Sequence, residues 1–100
     1  MIICTGTIKL DPAKAEEART AMTTMMEATL AEDGCRGYTF AADLSEPGLF
    51  HLTEQWEDAE SIDRHLKTPH MAEMMGAMGT LGVTEASIWQ HEVASSTKMM

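Results

Sequence analysis

Three side chains carry the chemistry this sequence can offer: Glu54, His65 and His70. Glu54 stands between Leu52 and Trp56 on one face of a predicted strand, where a carboxylate is costly unless it is paired or used. Pairing with Arg36 or with a second subunit is one account, and a place in a binding site is the other. His65 shares a helical stripe with Ile62 and Leu66, so it points inward, either as a satisfied core residue or as a catalyst. His70 follows Pro69 at the start of a methionine-rich helix. The positive end of that helix disfavours a protonated ring and holds a neutral imidazole near physiological pH. That form is a competent general base. The plainer account of His70 is a polar residue at an exposed helix start.

Metal chemistry is not expected from these groups. Five residues on one helix amount to about 500° of rotation, so His65 and His70 diverge by roughly 140°. No third ligand is evident nearby, and transition-metal sites need three or four convergent donors. Cys4 and Cys35 lack the spacing of a zinc site or a disulfide framework and read as free thiols. Gly76, Gly79 and Gly82 are not followed by the Lys-Ser/Thr of a phosphate-binding loop.

The elements that must position these groups follow in order. Ile2 to Leu10 reads as a strand rich in β-branched residues, with Ile2, Cys4, Ile8 and Leu10 on one face. Asp11-Pro12 starts a helix, a carboxylate cap followed by a proline in the first turn. Its apolar stripe is Ala15, Ala18, Met22, Met25, Met26 and Thr29, and Gly34 ends it. Cys35 to Leu44 is a second strand with Arg36, Tyr38, Phe40 and Ala42 on one face. Ser45-Glu46-Pro47-Gly48 turns the chain into a third strand, Leu49 to Trp56. Asp58 caps a short helix, which Pro69 breaks or restarts. Met71, Met74, Met75 and Met78 then recur at helical spacing. Val83 to Val93 is the last strand, with Trp89 and His91 on one parity, and residues 94–100 form a polar tail.

Strand, helix, strand, strand, helix, strand is the order of a ferredoxin-like α+β domain, a four-stranded antiparallel sheet with helices on one face. The 100 residues make one domain, with a core over about residues 2–93. So short a chain gains from association, and the uncovered sheet face suits a second copy, so a homodimer is expected. A net charge of −9 with seven scattered basic residues excludes a nucleic-acid partner. No apolar run spans a bilayer, and the N-terminus lacks the basic start and apolar stretch of an export signal. A cytoplasmic location is therefore expected.

Gly34-Cys35-x-x-Tyr38, Glu54-x-Trp56-x-Asp58 and His65-x-x-Thr68-Pro69-His70, taken in order, resemble the antibiotic biosynthesis monooxygenase domain family, over nearly the whole chain. The resemblance implies a dimeric α/β barrel with a pocket in each subunit between sheet and helices. It implies oxidation of quinols or polycyclic phenols by O₂ without a cofactor. His70 and His65 would then be the base or phenolate partner. Trp56, Trp89, Phe40, Met74 and Met75 would wall the pocket, with Glu54 beside the substrate. The haem-degrading branch fits poorly. It places a tryptophan where this chain has His65, an iron-binding histidine where it has Met75, and an asparagine where it has Thr5 and Thr7. Two rivals share the fold: an isomerase or lyase working by proton transfer in the same pocket, and a non-catalytic ligand-binding dimer with a methionine-filled core.

Overall fold

The computed structural model describes all 100 residues. Strand β1 (Ile2–Lys9) leads through a 3₁₀ turn (Pro12–Lys14) into helix α1 (Ala15–Leu30). Strands β2 (Cys35–Ala42) and β3 (Leu49–Trp56) form a hairpin. Two helices follow, α2 (Ala59–His65) and α3 (Pro69–Thr80), and then strand β4 (Glu85–Glu92). The sheet order is β2-β3-β1-β4, every pair antiparallel. This is the expected ferredoxin-like βαββαβ arrangement, an open sheet with helices on one face. No helix is long and apolar enough to cross a membrane.

Local signals place the turns. The Asp11 side chain accepts from the Ala13 amide, and Asp58 accepts from the Ser61 amide at the start of α2. Thr68 Oγ1 accepts from the Met71 amide, so Pro69 opens a new helix instead of kinking an old one. Helix α1 ends at Leu30, four residues before Gly34. Gly34 instead turns the chain into β2 with φ 83°, and a side chain there would collide with Ser61 on α2.

The inner sheet face carries Ile2, Cys4, Tyr38, Phe50, Leu52 and Trp56, packed against Ala18, Met22 and Met25 of α1, Ile62 of α2 and Met74 of α3. Thr29 and Ala18 of the predicted α1 stripe are fully buried. Arg36 departs from its expected face. An irregularity between Cys35 and Gly37 leaves it without a partner on β3, and it swings outward to Glu57 at 3.5 Å. Residues beyond the bulge keep the inner face, with Tyr38 opposite Glu54.

Candidate functional site

The inner face of the sheet and helices α2 and α3 enclose two adjoining cavities. One, about 240 Å³, has a polar end formed by Cys4, Tyr38, Glu54, His65 and Gln90. The other, about 210 Å³, is wholly apolar and includes Phe40, Met71, Met74, Met75, Met78 and Ile88. Tyr38, Leu52, Met71 and Ile88 line both, so the two lie side by side.

Glu54 is delivered by strand parity. It faces inward with Leu52 and Trp56, and only 7% of it is exposed. The indole Nε1–H of Trp56 donates to its Oε1 at 2.8 Å. Burial pushes the Glu54 carboxyl up from the ordinary range, while the indole bond and the nearby His65 pull it down and Glu32 pushes it up. The expected pairing with Arg36 is absent, because the bulge in β2 carries Arg36 away.

His65 closes helix α2 and is almost entirely buried. Its ring packs on Trp56, with centroids 4.9 Å apart, and on Tyr38 at 5.5 Å. Its Nδ1–H donates to Glu32 Oε2 at 2.7 Å. The same oxygen accepts from His70 Nε2, also at 2.7 Å. A carboxylate can only accept, so both facing ring nitrogens carry protons. In the neutral ring that leaves His65 Nε2 with the free lone pair. It has no partner within the chain, and Thr29 Oγ1 is the one sealed polar side-chain atom without a partner, so Nε2 opens onto the cavity that His65 lines.

His70 lies on the other side of this cluster. It lines a separate groove of about 240 Å³ between α1 and α3, with Met25, Glu73 and Met74 among its neighbours. Of the residues nominated from sequence, Glu54, His65, Phe40, Met74 and Met75 therefore line the two adjoining cavities. Trp56 is fully buried behind them, backing His65 and Glu54 instead of forming a wall. Trp89 is set apart. It pairs with Thr5, whose side chain points away from the helices, so Trp89 lies 66% exposed on the outer sheet face.

Glu32 is the participant that sequence reasoning missed. It sits in the loop after α1, 33 residues before His65 and 38 before His70. No periodicity or spacing marks it. Its presence also corrects the expectation that the two histidines diverge and lack a third donor. That geometry assumed one continuous helix, whereas α2 ends at His65 and α3 begins at Pro69. Glu32, His65 and His70 bring one donor atom each within 4.8 Å of one another and are the residues able to hold a metal ion.

The sequence profile of the family described as antibiotic biosynthesis monooxygenase matches residues 1–77. The chain is 30% identical over 95% of its length to an uncharacterized protein of Synechocystis, covering 65% of that protein. It is 36% identical over 42% of its length to the Escherichia coli "probable quinol monooxygenase" YgiN, covering 48% of it. The chain thus spans less than two thirds of these two relatives. Its fold is similar to the crystal structure of an antibiotic-biosynthesis-monooxygenase-type protein from Deinococcus radiodurans, with a TM-score of 0.94 and 32% identity over 100% of this chain and 99% of that one.

Proposed function

The chain belongs to the antibiotic biosynthesis monooxygenase family, and from that premise we propose that it oxidises a quinol-like or polycyclic phenolic molecule with O₂, without a cofactor. The observation that carries this reading is the pair of adjoining cavities. Its apolar, methionine-lined end suits an aromatic ring, since methionine adapts to irregular shapes. Its polar end holds an imidazole with a free nitrogen and a buried carboxyl group.

In this mechanism the phenolic hydroxyl meets His65, and Nε2 accepts its proton. Glu32, bonded to Nδ1–H, fixes the tautomer and stabilises the imidazolium that forms. The electron-rich phenolate passes one electron to O₂, and the resulting radical pair combines to form a C–O bond. The peroxide takes the proton from His65. Its O–O bond then breaks, the ring C–H hydrogen leaving with the distal oxygen as water. A hydroquinone and O₂ thus give a hydroxyquinone and water, and His65 is restored. Enclosure by apolar side chains keeps water from the radical pair. A second copy covering the outer sheet face, with Trp89 in the contact, completes the proposed assembly.

Oxygen uptake with a panel of hydroquinones and anthrone-type phenols, in protein stripped of metal, tests the reading. Uptake above buffer that is lost in His65→Gln is expected. No uptake across the panel overturns it. Glu54 and His65, which line the same cavity, also suit simple proton transfer. An isomerase or lyase of that kind would turn over under nitrogen, and the oxygenase would not.

A further inference from the structure

The geometry points to Glu32, His65 and His70 as a binding site for a divalent transition metal of the zinc class. Three observations converge on it. The first is the donor set: Glu32 Oε2 lies 2.7 Å from both His65 Nδ1 and His70 Nε2. Zinc takes imidazole nitrogen and carboxylate oxygen at about 2.0–2.2 Å, which sets neighbouring ligand atoms roughly 3 to 3.5 Å apart. Side-chain rotations that open the cluster by less than about 1 Å would admit the ion on that scale. Two imidazoles and one carboxylate suit zinc, cobalt, nickel or iron(II), and not the all-oxygen ions magnesium and calcium.

The second observation is charge. Glu32 is largely buried, and its side-chain partners are the two imidazoles, with no Lys or Arg among them. Glu54 adds a second buried carboxyl group nearby, in the cavity that His65 lines. A cation at the cluster would supply the positive charge that Glu32 lacks among its partners. The third is access. His70 opens onto the groove between α1 and α3, which Glu73 also lines. An ion can enter from that side and keep positions open to water.

Binding would change what faces the cavity. Each ring must present a lone pair to the metal, so the proton on His65 Nδ1 moves to Nε2. The cavity-facing nitrogen then donates and no longer accepts. Metal-loaded chain would have lost its base, which makes the metal an inhibitor of the oxidation. That consequence rests on the proposed function, whereas occupancy of the site does not.

The test is titration of the full chain, stripped of metal by chelation, with Co²⁺ followed by absorbance, and with Zn²⁺ as competitor. One equivalent of Co²⁺ per chain, visible d–d bands and displacement by Zn²⁺ are expected. Affinity should fall at least roughly tenfold in Glu32→Gln and in His70→Ala, because losing even an outer partner of a metal ligand costs that much. Imidazole nitrogen NMR of the unsubstituted chain gives a readout that needs no variant. Zn²⁺ should move the His65 and His70 resonances and leave those of His51 and His91 in place. Absence of stoichiometric binding, or perturbation confined to His51 and His91, overturns the assignment.

Discussion

Trp56 donates its indole hydrogen to Glu54 Oε1 at 2.8 Å, two residues away on the same face of β3. The bond gives a buried carboxylate its only side-chain donor from the strand that carries it. Burial outweighs it, so the Glu54 carboxyl titrates above the ordinary glutamate range. The folded chain therefore favours the protonated form relative to the unfolded chain. The sign follows from linkage. Glu54 burdens stability little below the ordinary glutamate value of about 4.3, and its contribution is lost as pH rises from there through the raised folded value. Glu54→Gln should flatten this fall, gaining on the parent in urea midpoint as pH climbs. Trp56→Phe, which removes the donor, should raise the carboxyl further. Parallel midpoint-versus-pH curves for parent and Glu54→Gln would contradict the assignment.

The local punctuation of the fold was legible because its causes are local. Asp11-Pro12, Asp58 and Pro47-Gly48 each set a cap or a turn from neighbouring residues. Residues whose placement depends on distant partners were not legible. Glu32 meets its histidines only once α1, α2 and α3 are assembled. The inward histidine of α2 could be read from its stripe, but its relation to His70 required knowing that Pro69 starts a separate helix. The face of Trp89 required the register of β4 against β1. Arg36 followed the parity of an ideal strand, and a single bulge broke it.

Gly34 couples the start of β2 to α2. Its φ of 83° disfavours any side chain, and a Cβ would meet the fully buried Ser61 hydroxyl, which bonds Asp58. Gly34→Ala should destabilise the fold by about 2 kcal/mol, seen as a lower urea midpoint with an unchanged slope. A loss within the scatter of exposed-loop substitutions would show that α2 shifts freely to accept the methyl group.

Cys4 faces the polar end of the cavity, 5% exposed, and burial pushes its thiol up to about 11, with Glu54 adding to the rise. The thiolate is the reactive form, so Cys4 should resist iodoacetamide at pH 8 under native conditions. Cys35, raised by burial but more exposed, should be modified first. Peptide mass spectrometry separates the two. Faster labelling of Cys4 would mean that the cavity opens to water more widely than its lining implies.

Trp89 stands 66% exposed on the outer sheet face, where Thr5 is its partner on β1 and its Nε1–H donates to Ser87 Oγ. A large exposed aromatic on an open sheet face is a natural anchor for a partner surface. Trp89→Glu should leave the circular dichroism of the chain intact and shift sedimentation velocity from dimer to monomer. A parent chain that sediments as a monomer at tens of micromolar, or a variant that still sediments as a dimer, would remove this face from the assembly.

The two histidines on Glu32 differ in what they face, and their substitutions should differ accordingly. His65 lines the cavity with its free Nε2, whereas His70 opens onto the groove between α1 and α3. Loss of a general base costs roughly 10²–10⁴-fold in rate, so His65→Gln, which keeps most of the side-chain volume, should lower kcat/KM by that order. His70→Ala removes only a second donor to Glu32. Its loss should stay under roughly tenfold, since proton transfer at the substrate is untouched. KM should hardly move in His70→Ala, because the residue does not line the substrate cavity. Steady-state oxygen uptake against phenol concentration resolves both constants. Equal losses in the two variants, or a larger loss in His70→Ala, would transfer the base to His70 and place the substrate in the α1–α3 groove.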